Sequence, residues 1–371
     1  MAKNKAGPPT LRVGGSLSRS KDDLGAWLVQ HTADPRFQDA EVLGWFTSFF
    51  EAHRLNSEIG FIDQIKKHLF QDIITPSWNL VGTETGRINT TDPNLIGTPR
   101  NPEVRSLIVP SVSGDCFVIA DYSFIELVIQ AALANEPTML NIIKNRKDIH
   151  IFLAAQIRQT SYNELMTLKT EDPARFKSIR NPMKAVNFGL IYGMGSRTLW
   201  KRLLNQNIPF EDAQRIYNTW KETFSQIATY QERCRSQYFS SSAPIPRLDD
   251  THIITSVRGR PRRPDLYSNQ RVLEATQLIN YPIQATCSDF LKGSLRILYM
   301  LIKSNILPAQ IVLSAHDEIV LQCSLSDREF VADMVRDTMI SVAFTTLSSI
   351  GQSPPPVGVE IGMGESWADK P

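Results

Sequence analysis

The chain has 371 residues, of which 42% are hydrophobic and 21% charged, and 40 Lys plus Arg face 38 Asp plus Glu for a net charge of +2. This is the balance of an ordinary globular protein; it excludes nucleic-acid binding by bulk charge, so any basic footprint must come from local placement. The four cysteines, Cys116, Cys234, Cys287 and Cys323, show no metal-ligand pairing, which points to reduced thiols and no zinc site, and no apolar run approaches a membrane span.

Residues 1–21 carry five cations, no acid, two prolines and three glycines. They have neither the amphipathic period of a transit peptide nor the apolar core of a secretion signal, which predicts a disordered basic arm. From 22 to about 69, apolar residues such as Leu24, Trp27 and Leu28, then Val42, Trp45 and Phe49, recur at the helical period. Residues 75–115 break that rhythm with prolines at 76, 93, 99, 102 and 110 and with Gly82, Gly86 and Gly97, giving loops and short strands. CFVIADY (116–122) reads as a buried strand ending in an acid, and SFIELVIQAALANEP as a helix stopped by Pro137. Helices dominate 148–238, SSSAPIP (240–246) is a loop, and helix resumes over about 268–304. QIVLSAHDEIVLQC (310–323) reads as two strands joined at Ala315-His316-Asp317. A helix over about 326–349 and an edge strand within PPPVGVEIGMGESW follow. The fold class is α+β, helix-rich, with a small sheet carrying acids near its turns.

Three features carry chemistry. Arg180, Lys184, Phe188 and Tyr192 are each four residues apart in RNPMKAVNFGLIYGMG (180–195), so on an α-helix they form one slowly drifting stripe. The stripe is either a solvated basic end with core rings, or a surface for polyphosphate followed by a base or sugar. Pro182 is read in the first turn of that helix, where it moves the start and leaves Arg180 just outside. Asp121 ends an apolar strand, and Asp317 stands at a hairpin tip beside Glu318. Two such acids could hold Mg²⁺ for phosphoryl transfer, or be a helix cap and a surface turn. The run from Arg258 to Arg263 has four arginines in six residues and is either a solvated charge run or a grip on a phosphate backbone.

In order, TETGRINTTDPNL (83–95), DYSFIEL (121–127), KDIH (147–150), RNPMKAVNFGLIYG (180–193), INYPIQATCSDFLK (279–292) and HDEIV (316–320) resemble the motifs of family A DNA polymerases, and VEIGMGESW (359–367) resembles that family's ending. The resemblance covers roughly residues 75–371 and implies a right-hand polymerase, with an antiparallel palm sheet, helical fingers and a truncated helical thumb. It divides the chain into the arm (1–21), a reduced thumb (22–74), palm (75–135), mainly fingers (136–265) and second palm segment with the catalytic hairpin (266–371).

The resemblance also implies roles. Asp121 and Asp317, with the carbonyl of Tyr122, match the ligands of two Mg²⁺ ions, and Glu318 the supporting acid beside them. Glu126 matches the residue that excludes a 2′-hydroxyl. His150, Arg180 and Lys184 match the triphosphate-binding set, in which two cations and a histidine offset the charge. Phe188 matches the residue near the nucleotide sugar, and Tyr192 the ring near the templating position. Arg87, Asn280, Gln284 and His316 match contacts to the primer-template minor groove. Departures are Phe124 for a usual Gln, Val128 for a common Arg, Ile96-Gly97 for a polar pair and Thr276 for a frequent Arg.

The implied function is primer extension with dNTPs by two-metal nucleotidyl transfer, releasing pyrophosphate. Only 86 residues precede Arg87, so the expectation includes no proofreading exonuclease, weak DNA retention and a processivity partner. The partners are primer-template DNA and dNTPs, with no membrane. The size suits a phage or mobile element, and the expected location is the cytoplasm of a bacterium or infected host, with an organelle left open. Two alternatives stand: a single-subunit RNA polymerase or reverse transcriptase on the same palm, and a non-catalytic DNA-binding subunit that keeps the fold.

Overall fold

The computed structural model describes residues 11–13, 16–18, 40–203, 208–239, 254–262, 275–350 and 353–370. The chain divides into two compact units, Met1–Asp63 with Met194–Asn218, and Gln64–Gly193 with Thr219–Pro371. In the first, strands β1 (Leu11–Val13) and β2 (Ser16–Ser18) pair antiparallel. Strand pairing therefore occurs inside the arm expected to be disordered; a Gly-Gly dipeptide lies between the strands, a composition that favours hairpins. The rest of that arm lies outside the described residues, as does the 240–246 loop. Helix α1 (Ala40–His68) forms where helix was expected, though without a single apolar stripe along it; the expected helical stretch over 22–39 lies outside the described residues.

The second unit holds the sheet. Short strands β3 (Leu69–Phe70) and β4 (Ile73–Ile74) form one hairpin, and β5 (Ser77–Asn79) and β6 (Asn89–Thr91) form a second within the Pro/Gly-rich region, followed by the short helix α2 (Pro102–Arg105). Strand β7 (Asp115–Ser123) is the long central strand. It is buried on both faces from Cys116 to Ala120, which is why it reads as a continuous apolar run rather than an alternating one. Helix α3 (Ile125–Ala134) follows, nearly all of it buried. It ends on Asn135, whose left-handed φ of 50° closes the last turn. Pro137 does not stop this helix; it is the first residue of α4 (Pro137–Lys144), where a missing N–H costs nothing.

Helices α5 (Ile149–Arg158), α6 (Tyr162–Glu171) and α7 (Pro173–Ile191) form a helical layer. Helices α8 (Ser196–Leu203), α9 (Phe210–Thr223) and α10 (Ser225–Phe239) complete the middle of the chain, and the short strands β8 (Ile254–Thr255) and β9 (Pro261–Arg262) pair as a hairpin. Helix α11 (Ala275–Lys303) leads to strands β10 (Gln310–Ala315) and β11 (Glu318–Ser324), then helix α12 (Arg328–Ser348) and strand β12 (Gly358–Gly364).

The main sheet is antiparallel with order β10-β11-β7-β12, which leaves β12 as the expected edge strand. Its core face carries Val118, Ala120 and Tyr122 from β7 and packs with Ile125 and Ile129 of α3, Phe290 and Leu291 of α11, and Val335 and Met339 of α12. Each fully buried side chain of this size contributes about 2 kcal/mol of transfer free energy. This core fixes β7, and therefore the position of Asp121 at its end.

Candidate active site

Strand register brings acids together. Asp121 lies directly opposite Glu318 on one side and Glu360 on the other, and cross-strand partners share a face. One row across three strands is therefore Glu318-Asp121-Glu360. Three adjacent like charges destabilise a sheet, so the row needs cations. Asp317 adds a fourth acid at the β10–β11 turn, where His316 adopts φ 58° and the Asp317 carbonyl accepts the Tyr122 N–H at 3.4 Å. Burial first, and then the Asp121 charge, push the Asp317 carboxyl up to about 7. Tyr122 points the other way: its ring is in the core, with its hydroxyl on the Met339 carbonyl at 2.9 Å.

The C-terminal tail closes on this row. The buried Trp367 donates its indole N–H to Glu318 Oε1 at 2.5 Å, and its ring lies 4.6 Å below the Arg105 guanidinium. Lys370 Nζ sits 3.0 Å from Asp121 Oδ2 and 2.8 Å from Glu318 Oε2. Both oxygens of Glu318 are thus engaged. Trp367 closes a motif whose resemblance was noted, but nothing in the spacing marks Lys370, because its partners are 249 and 52 residues away.

Arg87 is presented by a tight turn. Gly86, at φ 74°, allows the Gly86 N–H to reach the Thr83 carbonyl at 2.8 Å, and a Cβ there would meet the Arg260 guanidinium at 2.6 Å. Arg87 Nη2 then lies 2.7 Å from Glu126 Oε1, and the Tyr192 hydroxyl donates to Glu126 Oε2. Burial raises the Glu126 carboxyl above its ordinary value, and Arg87 opposes the rise. Arg87, Glu126 and Tyr192 were assigned to the minor groove, the sugar and the template; here they form one hydrogen-bonded set.

The stripe needs one correction. Helix α7 begins at Pro173, where Asp172 caps it by accepting the Arg175 N–H at 3.0 Å, so Pro182 lies in its interior and Arg180 well inside. The Asp-Pro pair at 172–173 was the overlooked start signal. Arg180 Nε lies 2.6 Å from Asp148 Oδ2, and Asp148 also caps α5, accepting the His150 N–H at 2.8 Å. Lys184 is exposed, Phe188 half-buried with its ring 6.0 Å from that of His150, and Tyr192 is the C-cap of α7.

His150 is buried and does not add positive charge. Burial is the main cause lowering it to about 4; Asp148 opposes the shift, while Arg180 and Lys184 add to it. Its tautomer follows from its neighbours. Trp220 Nε1 donates to Asn187 Oδ1 at 2.9 Å, so the Asn187 amide N–H must face His150 Nδ1, 3.0 Å away. With Nδ1 accepting, the proton sits on Nε2, which has no hydrogen-bond partner among the described residues. Phe124 flanks this group: at φ 52° its ring meets the His150 ring edge-on at 5.4 Å and lies 5.9 Å from the Arg180 guanidinium.

On α11, Asn280 and Gln284 share a face with Cys287 at steps of four and three. Cys287 is buried against the fields of Glu126, Asp317 and Arg87, which puts that face beside the acids; Asn280 Oδ1 is buried without a partner among the described residues. His316 is held below its ordinary value by burial, with Arg87 and Arg100 next.

Three arginines of the run have partners within the protein. Arg260 pairs with the buried Asp289 at 2.5 Å, Arg262 with Glu84, and Arg258 Nε donates to Thr346 Oγ1 at 2.9 Å. Arg263 lies outside the described residues.

Comparison with known proteins places the chain. The sequence profile of DNA polymerase family A matches residues 30–369. DNA polymerase I of Aquifex aeolicus is 27% identical over 354 residues, 95% of this chain and 55% of that protein. The thermostable DNA polymerase I of Thermus aquaticus is 27% identical over 78% of this chain and 32% of its own length. The chain thus spans about half or less of these curated relatives. Among solved structures, the POL domain of Pol1 from M. smegmatis, in complex with DNA primer-template and dNTP, superposes with a TM-score of 0.77 at 22% identity over 98% of this chain and 58% of that one. With the profile running through the acid row, the hairpin and the cationic helix alike, the chain belongs to DNA polymerase family A.

Proposed function

We propose that the chain is a DNA-directed DNA polymerase that extends a primer 3′ end with dNTPs. The observation that carries this reading is the acid row of Glu318, Asp121 and Glu360 with Asp317 at its turn, together with membership of family A. We assign β7, β10, β11 and β12 to the palm, α5–α7 to the fingers, and 22–74 to the base of a thumb.

The donor set fits hard divalent cations such as Mg²⁺. The oxygens that Asp121 and Asp317 offer are carboxylate, and the Lys370 ammonium already marks a place where the row holds positive charge. Asp121, Asp317 and the Tyr122 carbonyl would hold a pair of ions, while Glu318, with both oxygens engaged, orients the tail. The chemistry that bound Mg²⁺ supplies is stabilisation of the attacking and leaving oxygens of an in-line displacement. In that displacement the primer 3′-oxygen bonds to the α-phosphorus, the bond to the bridging oxygen breaks, pyrophosphate leaves and the hydroxyl proton passes to solvent base.

The protein's own groups bind and orient. Lys184 and Arg180 meet the triphosphate as cations, and His150 as a neutral Nε2–H donor. Asp148 fixes the Arg180 fork. Glu126, braced by Arg87 and Tyr192, closes the space a 2′-hydroxyl would need, and Phe188 faces the sugar. Asn280 and Gln284 face the minor groove, where all correct pairs present acceptors. Offering dNTPs or rNTPs on one primed DNA template tests this. Extension only with dNTPs is expected; extension only with rNTPs would make the protein an RNA polymerase, and tight DNA binding with no extension would make it a binding subunit.

A further inference from the structure

We propose that Lys370 is a built-in counter-cation of the acid row: its ammonium holds Asp121 and Glu318 together in the absence of a divalent ion, and must release Asp121 for such an ion to bind. The inference rests on the reading of Asp121 and Asp317 as metal ligands.

Geometry carries it. The ammonium bridges two carboxylates on adjacent strands, at 3.0 Å and 2.8 Å, and these carboxylates are direct cross-strand neighbours. Without a cation their repulsion strains the sheet just where the site must be ordered. The tail that delivers the lysine is anchored independently of it. Trp367 is buried, its N–H reaches the Ile108 carbonyl at 2.9 Å, and its indole N–H holds Glu318. Asp369 folds back on Ser366, accepting its N–H at 2.9 Å. Lys370 extends from this anchor to Asp121, and 35% of its side chain is exposed.

These facts give the two contacts different fates. Glu318 is 97% covered and bound to the anchor, so the Lys370–Glu318 contact persists. Asp121 is more exposed, at 24%, and its contact is the one a divalent ion replaces. A lysine ammonium is compact and on a flexible stem, so it can move to solvent without dragging the backbone. The tail thereby sets how tightly the site takes metal: it keeps the acids ordered while empty, and competes with the ion on entry.

The test is direct metal binding to the full chain without DNA, using Mn²⁺ read by electron paramagnetic resonance. Lys370→Met is expected to bind Mn²⁺ about tenfold more tightly than the unaltered protein, the factor that corresponds to ~1.4 kcal/mol of surrendered ion pairing. Lys370→Arg, which keeps the charge, is expected to stay within about twofold. In chelator, Lys370→Met is expected to melt at a lower temperature and to gain more from added Mn²⁺. A merely structural lysine would give the opposite sign, with weaker metal binding on its removal. If Lys370→Met binds no more tightly while Asp121→Asn loses binding, the inference is overturned and the metal reading stands. If Asp121→Asn and Asp317→Asn bind as well as the unaltered protein, the metal reading itself is overturned, and the inference with it.

Discussion

Asp317→Asn should stabilise the metal-free protein while abolishing its activity, and the gain should depend on pH. In the folded chain the Asp317 carboxyl is pushed from an ordinary 3.8 to about 7 by burial and by Asp121. Between those values the unfolded chain has lost this proton and the folded chain keeps it, so stability falls as pH rises, and the penalty is complete above about pH 7. At about 1.4 kcal/mol per pH unit the full shift corresponds to about 4 kcal/mol. The Lys370 charge already opposes this shift; relaxation and water entry at the partly exposed turn reduce the cost to about 2 kcal/mol. Asparagine keeps the shape and carries no charge. The assay is urea unfolding in chelator at pH 5, 6, 7 and 8. The stability difference in favour of Asp317→Asn should grow with pH and level off above about pH 7. A difference that is constant with pH, or a variant less stable at pH 8, would refute the assignment of strain to this carboxylate.

Trp220→Phe removes the indole N–H that orients Asn187, frees that amide to turn, and lets His150 present an acceptor to the triphosphate. The KM for dNTP should rise several-fold with kcat little changed, and stability should drop by about 2 kcal/mol; an unaltered KM would remove the tautomer from nucleotide binding. Glu126→Ala opens the space beside the sugar, so preference for dNTP over rNTP in single-nucleotide incorporation should fall by about tenfold or more. Unchanged selectivity would remove Glu126 from that role. Asp289→Asn leaves the partly buried Arg260 without its charge partner and should cost about 2–3 kcal/mol in urea unfolding, whereas a loss under about 1 kcal/mol would show the pair to be solvated.

Short-range patterns were legible and long-range partners were not. The strand over 116–122 and the hairpin at 315–317 could be read because apolar runs ending in acids are local signals. The acid row itself needed strand register: nothing local tells that Glu318 and Glu360 flank Asp121. Proline was read too simply. Pro137 and Pro173 each open a helix, while Pro182 sits inside one that Asp172 had already capped. The run at 258–263 reads locally as charge alone, because Asp289 and Glu84, which pair with Arg260 and Arg262, lie far off in sequence. The same blindness hid Asp148, which holds Arg180, and Lys370, which holds Asp121. The neutral state of His150 was not legible either, because burial cannot be read from a four-residue motif.

The most direct measurement is single-turnover primer extension with Mg²⁺, comparing the unaltered chain with Asp121→Asn and Asp317→Asn while DNA affinity is followed in parallel. The expected result is templated dNTP addition by the unaltered chain, a rate loss of about 10³-fold or more in each variant, and primer-template binding retained. Extension by either variant at the unaltered rate would contradict the assignment of these two carboxylates as the catalytic pair.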